Sequence, residues 1–416
     1  LIIPGNLQVD KLSFSFGPKT IYGTLFNTNF VGSFATLMLP LSIAFLLGAK
    51  EKKQRIISAI AVVLMIFVWI GCNSRAGYLG VAIASIFALW LFRKVIVYHW
   101  KASVSLFVVF VVLLVGLNVV SEEALFRRLK TFNVVEQINI IKERNKSGIH
   151  IEDVILGKDT FSIKTNREIL NFKVDGEKLY LLDENFNELE ITINGSRITI
   201  NSPKYKGYRI SIPKNYPGVT VQRSNNLRWI SINFYITNNG IKILGSGGRI
   251  AEPIVADRFK PLDGLEKFMS GRGYIWSRTI PMLKTYLIKG AGADNYPIAF
   301  PQDDFLAKLR NGSDASLIID KPHNMYMQIG INTGVVSLIA LVSVWVLYII
   351  SSLKLYTKIT FNSLEEIVGA SCLVSVIGYL ATAMFNDHIV SVSPLFWIIL
   401  GIGISISIRL QKNTEV

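Results

Sequence analysis

The chain has 416 residues, half of them apolar and only 18% charged, with a formal net charge of +15. That balance excludes an ordinary soluble domain, which carries more charge and spreads its apolar residues more evenly. The excess of Lys and Arg sits largely in short loops between apolar runs, where membrane topology accounts for it better than nucleic acid does.

In chain order, about seven stretches are long and apolar enough to be read as membrane-spanning helices. They are Phe30 to Gly48, Ile56 to Cys72, Gly77 to Phe92, Val104 to Val120, Ile329 to Ile350, Ile367 to Phe385 and Pro394 to Ile408. The third and the last are short and need flanking residues or a locally thinner bilayer. Four basic loops follow alternate spans: Lys50 to Arg55, Arg93 to Lys101, Lys354 with Lys358, and Arg409 with Lys412. All four fall on one side, which the positive-inside rule makes cytoplasmic. The chain begins with Leu and shows no signal peptide, so further spans are expected upstream.

The long segment Ser121 to Gln328 then lies outside the cytoplasm. From about Thr131 to Leu244 it reads as β-structure. Ile191 to Ile200 around Asn194-Gly195, Ile169 to Leu182 around Asp175-Gly176, and Trp229 to Leu244 around Asn238-Asn239-Gly240 are hairpin signatures. Beyond Pro253 the texture is helical, and Ile275 to Leu287 carries an amphipathic pattern suited to a membrane surface. The expected fold is therefore an α-helical polytopic membrane protein with an inserted extracytoplasmic β-rich domain. Its parts are spans over 1–120, the β-rich insert over 121–245, an extracytoplasmic helical segment over 246–328, and spans over 329–416.

Cys72 and Cys372 both lie in apolar runs and imply neither a disulfide framework nor a metal site. The outer region has no Asp-x-Asp and the chain no His-Glu-x-x-His, so neither metal nor cofactor is expected. Of the four histidines, His99 is assigned to a cytoplasmic loop and His150 to the β-rich insert, while His323 and His388 fall at the outer membrane surface. Arg75 sits between two spans, where a cation at mid-helix would cost roughly 3 kcal/mol. A polar cavity and a snorkelling helix-end arginine are both open readings. Arg272, in Ser270-Gly-Arg-Gly273, has the planar fork that suits phosphate, or pairs with Asp263 or Glu266. Arg249, Arg258 and Arg278 are reserve phosphate ligands, and Asp303-Asp304 reads as surface acid. His323, in Lys321-Pro-His-Asn324, has the titration range of a general base, or a structural hydrogen bond. Asn386-Asp-His388 either approaches His323 or caps a helix, and the cap is the simpler reading.

Taken together, these segments resemble the O-antigen ligase and polymerase family of bacterial lipid-linked-glycan transferases. The resemblance rests on Gly23 to Phe30 before a span and on Asn73-Ser-Arg-Ala-Gly77 between two spans. It also rests on Ser270-Gly-Arg272 with Trp276, Pro281 and Gly290-Ala-Gly292, and on Pro322-His-Asn324 with Gln328 and Gly334. It covers the spans and the outer helical segment, not the β-rich insert. The resemblance implies a metal-independent transferase in the bacterial cytoplasmic membrane. It would move a glycan from an undecaprenyl-pyrophosphate donor to a hydroxyl of a glycan, lipid or protein acceptor. His323 would then be the general base, Arg75 and Arg272 the pyrophosphate ligands, and Asn324, Arg278, Arg249 and His388 secondary site residues. A lipid-linked-glycan flippase and a membrane-anchored assembly or sensor protein are the alternatives. The flippase would need charges deep in its spans, which these spans lack.

Overall fold

The structure, a computed structural model, describes residues 21–414 apart from 26, 99, 121, 122, 226 and 227. His99 thus lies outside the described residues. The first helices are α1 (Thr28–Gly48), α2 (Lys52–Gly71), α3 (Arg75–Leu91), α4 (Arg93–Tyr98), α5 (Trp100–Val120), α6 (Ala124–Lys130) and α7 (Val134–Ser147). Strands β1 (Ile151–Leu156), β2 (Thr160–Thr165), β3 (Ile169–Asp175), β4 (Lys178–Leu182), β5 (Ile191–Asn194) and β6 (Arg197–Ile200) follow. The remaining strands are β7 (Tyr208–Ser211), β8 (Gly218–Ser224), β9 (Trp229–Thr237), β10 (Gly240–Leu244) and β11 (Ile250–Ala251). The chain returns to helix as α8 (Phe268–Met282), α9 (Tyr296–Ala299), α10 (Phe305–Arg310), α11 (Met325–Thr333), α12 (Val335–Tyr356), α13 (Leu364–Thr382) and α14 (Ser393–Thr414). Two compact units result. One holds the described residues up to Phe132, His323–Tyr326 and the chain from Leu338 onward; the other holds Asn133–Pro322 and Met327–Ser337.

Among the described residues, five helices are long and apolar enough to cross a membrane, namely α1, α2, α12, α13 and Ser393–Asn413 within α14. The expected seven spans are corrected to these five. The third, α3, has 17 residues, about 26 Å of helix against a hydrocarbon core of about 30 Å. The fourth falls in α5, some of whose side chains lie outside the described residues, and it does not enter the five.

Small residues let α1, α3 and α13 approach closely. A Cβ on Gly77 would stand 2.7 Å from the Gly32 Cα, and one on Gly80 would stand 2.2 Å from the Thr382 methyl. Such contacts replace hydrophobic driving force with backbone proximity and side-chain-to-backbone bonds. Ser375 Oγ donates to Leu37 O at 2.8 Å, and Trp69 Nε1 donates to Gly77 O at 3.1 Å. The starts of α1 and α3 therefore meet the end of α13. At the opposite end, Leu364 abuts Gly48, the Phe92 and Phe361 rings lie 4.5 Å apart, and Arg409 pairs with Glu365. Lys50, Arg93, Lys358 and Arg409, one from each basic loop, thus gather at one end of this unit, and Arg75 and Asn386 stand at the other.

In the second unit two antiparallel sheets share one core, with strand orders β1-β2-β3-β4 and β11-β10-β9-β8-β7-β6-β5. Phe161 of the smaller sheet stacks at 4.3 Å on Phe172 and lies 4.0 Å from Phe234 of the larger. The three predicted hairpins form. Asn194 pairs with Arg197 and Asp175 with Lys178, so the two-residue loops are Gly195-Ser196 and Gly176-Glu177. Each opens on a glycine at φ +61°, a conformation an L side chain resists. Phe305 and Leu309 of α10 enter the same core, so the sheets and the following helical segment are packed together.

One expectation fails here. The stretch 134–147 is helix rather than strand, started by Asn133, whose side chain accepts from Glu136 N at 3.2 Å. In the amphipathic stretch from Ile275 the helix ends at Met282, Ile275 is buried against Tyr296, Phe300 and Ile331 within the unit, and Leu287 is exposed.

Buried charges bear on the stability of this unit. Arg223 on β8 donates to Glu168, between β2 and β3, at 2.7 Å, with both side chains about 5% exposed (6% and 5%). Replacing Glu168 with Ala strands the guanidinium and should cost about 3–5 kcal/mol. Denaturant unfolding of the purified protein tests this, and a loss under about 1 kcal/mol, the worth of a surface pair, would contradict it.

Lys308 is fully buried and donates to Ser246 Oγ, Gln302 Oε1 and Leu317 O, all neutral oxygens. Burial pushes its pKa down to about 8. The fold therefore disfavours the charged lysine, a penalty complete below pH 8 and relieved as pH rises toward the unfolded value near 10.5. The full penalty is about 3 kcal/mol. Stability of the wild type should rise relative to Lys308→Met between pH 8 and 9.5, read as melting temperature against pH. Parallel profiles would contradict the assignment.

Candidate active site

His323 follows Pro322 and takes a left-handed backbone, φ +51°. The next residues hold it to the end of α13: Asn324 Nδ2 donates to Met384 O at 2.9 Å, Met325 N to Ala383 O at 2.9 Å, and Tyr326 OH to Leu380 O at 2.8 Å. This places the His323 ring against the loop after α13. There Nδ1 meets Asp387 Oδ2 at 2.8 Å, with the carboxylate side chain 3% exposed and the imidazole 42% exposed. A buried carboxylate on Nδ1 fixes the proton there and leaves Nε2 as the basic nitrogen. Asp387 Oδ1 is buried and has no hydrogen-bond partner among the described residues.

The Asn386-Asp-His388 loop therefore reaches His323 and is not a helix cap. Asn386 Nδ2 donates to Ser33 Oγ at 2.8 Å and Asn29 O at 3.3 Å. His388 turns to α14, where Trp397 Nε1 donates to its Nε2 at 3.1 Å, and burial lowers its pKa. That bond occupies one of its two ring nitrogens.

Arg75 belongs to the same end of the same unit. Ser74, the residue before it, caps α3 by accepting from Gly77 N at 3.2 Å and donates its own hydroxyl to Asn29 Oδ1 at 2.9 Å. Since Asn29 O also accepts from Asn386, a bonded path joins the residue beside Arg75 to the residue beside Asp387. Arg75 occupies the first turn of α3, which contains no acid. A cation there opposes the helix dipole, and both favour an anion. Arg128 is the charge that acts on it, and Arg128 Nε donates to Asn73 O at 3.0 Å. Among the described residues neither guanidinium is paired with a carboxylate. Arg128 is missing from the sequence reading because Arg127 to Lys130 looks like an ordinary basic run.

The other candidate arginines, Arg272, Arg249, Arg258 and Arg278, lie in the second unit. Arg272 follows a run of three left-handed residues, Met269 (φ +50°), Ser270 (φ +63°) and Gly271 (φ +93°), and its Nη1 donates to Met269 O at 3.1 Å. Asp263 is not its partner, being paired with Arg258 at 3.2 Å. The reserve ligands carry acids of their own. Arg249 meets Asp303 at 3.2 Å, and Arg278 meets Asp304 at 3.0 Å, with both side chains of the latter pair nearly fully buried. Asp304 is thus a core acid and not a surface one. Arg278 also covers the Tyr274 ring at 4.7 Å, which leaves it no face for phosphate.

Among the described residues, eight non-glycine residues have positive φ; three of them, Asn73, Ser270 and His323, lie in the short motifs, and a fourth, Met269, directly precedes Ser270. Left-handed backbone costs about 1–2 kcal/mol per residue, least for Asn, and collects where function requires it. The motif glycines have packing roles instead. A Cβ on Gly290 would meet Asn332 O at 2.2 Å, and Gly334 takes φ +102°. No family model matches the chain, and no curated protein or solved structure matches it either.

Proposed function

We propose that the protein is a membrane glycosyltransferase. It moves a glycan from an undecaprenyl-pyrophosphate donor to an acceptor hydroxyl at the outer face of a bacterial cytoplasmic membrane. The observation that carries this reading is the His323–Asp387 pair, set at the same end of the helical unit as Arg75 and Arg128. A base and two uncompensated cations are what displacement at a glycosyl diphosphate needs.

In the proposed step the acceptor O–H gives its proton to His323 Nε2 as its oxygen attacks the anomeric carbon. The bond from that carbon to the diphosphate oxygen breaks, and the electron pair leaves with the lipid diphosphate. Asp387 stabilises the imidazolium that forms on His323. Arg75 and Arg128, already oriented, meet the charge that develops on the leaving group. The resemblance assigns Arg272 to the same diphosphate. The end carrying the basic loops is cytoplasmic in this reading, and the second unit lies outside.

Transfer by the full-length protein in membranes, with a lipid-linked glycan as donor, tests the proposal. His323→Ala should lose about 10²- to 10⁴-fold in rate. Arg128→Gln, Arg75→Lys and Arg272→Lys should each raise the donor KM or lower kcat, and chelator should have no effect. Wild-type rates in His323→Ala at normal expression would remove the residue from the chemistry.

A further inference from the structure

We propose that a cleft of about 590 Å³ in the second unit binds a glycan chain through its hydroxyl groups. This deepens the transferase reading and rests on it for the source of the glycan. The cleft is formed by the end of α7, strands β1 and β2, the segment from Val255 to Lys267 and α10, all within one compact unit. Its volume falls in the range of small-molecule pockets, about 300–1,000 Å³.

Most of its lining residues are polar or charged, and their charges nearly cancel. Glu152 is held by Lys164 at 3.3 Å, and Arg278 by Asp304, so these supply little net field. What remains is a set of groups with spare hydrogen-bonding capacity. Lys267 Nζ donates to Asn145 Oδ1 at 3.0 Å, and an ammonium has two further donors. Arg310 spends Nε and Nη2 on the Glu152 carbonyl, at 3.0 and 2.6 Å, and keeps Nη1. The Glu266 carboxylate has no hydrogen bond or ion pair among the described residues. Asn311 Oδ1 is buried with no hydrogen-bond partner among them either.

Donors and acceptors in one cleft, with little net charge, match a polyhydroxylated chain, whose every hydroxyl both gives and accepts. A polyanion would find the acids in its way, and an apolar ligand would leave the Glu266 carboxylate and the spare donors unmatched. The cleft also adjoins the strained turn that carries Arg272. Glu266 and Lys267 line it and lead directly into Phe268 to Gly271, and the Asn311 amide nitrogen lies 3.6 Å from where a Cβ on Gly271 would be. A glycan seated there would run up to the motif assigned to the diphosphate. Strands β1 and β2 supply part of the wall, which gives the β-rich region a role in substrate binding.

The test is binding by the full-length protein in lipid nanodiscs. The probe is the pool of neutral reducing oligosaccharides released by mild acid from the polyprenyl-diphosphate glycans of the host membrane, and titration calorimetry is the readout. Saturable binding is expected, weakened at least about tenfold in Lys267→Met and in Glu266→Gln, the loss of one charged hydrogen bond. His323→Ala should bind as the wild type does. Unchanged melting temperatures identify the variants as folded, and Glu266→Gln preserves shape should Lys267→Met unfold. No saturable binding, or equal binding in wild type and both cleft variants, overturns the inference. If transfer is retained alongside that result, the transferase reading stands alone. Cleft-dependent binding without any transfer would leave the glycan site standing and remove the transferase reading.

Discussion

The close approach of α1, α3 and α13 is the constraint on which the candidate site depends. Gly32 against Gly77, and Gly80 against Gly378 and Thr382, bring three backbones to near contact. That closeness makes a short polar network possible at one end, where Ser74, Asn29, Ser33, Asn386 and Thr382 bond to one another. Any side chain on Gly77 would force α1 and α3 apart and break the path from Ser74 to Asn386. The chemistry-bearing groups hang from this network's edges. Arg75 extends from the capped start of α3, and Asp387 comes from the loop after α13. His323 arrives from a distant part of the sequence and is held by three bonds to the end of α13.

Strain and uncompensated charge then distinguish this end from an ordinary helix terminus. His323 and Asn73 sit in left-handed backbone. A cation in the first turn of α3 faces the positive end of the helix dipole with a second guanidinium nearby. The isolated protein gains nothing from either arrangement. Each becomes favourable once an anion is present, because the dipole and both arginines then act in the same direction. Arg278 and Arg223 show the contrast. They are equally cationic, but each is closed by a buried carboxylate and belongs to the packing.

The parts legible in the sequence were those encoded locally. Gly176 and Gly195 fixed two hairpin turns because a two-residue loop needs a left-handed residue that glycine supplies cheaply. The basic loops at one end were legible because charge clusters beside apolar runs. The helix over 134–147 was not. Val134, Val135, Ile138, Ile140 and Ile141 have the β-branched character of a strand, and only the Asn133 cap marked the helix start. The third span, already short in the sequence, is a helix of 17 residues and does not enter the five. Pairings between distant residues were illegible in principle. Asp387 lies 64 residues from His323, and Asp304 lies 26 from Arg278. No periodicity links such positions, so a candidate base was visible while the carboxylate that meets it read as a helix cap.

The most direct test of the central claim is the transfer rate of Asp387→Asn, measured across pH in membranes with a lipid-linked glycan as donor. The substitution keeps the size of the side chain and removes the charge that faces His323 Nδ1. If the pair is the base, the rate falls sharply at every pH while expression and melting temperature hold. A wild-type rate in Asp387→Asn would contradict the account and leave the His323–Asp387 bond as a structural tie between α13 and the segment that carries His323.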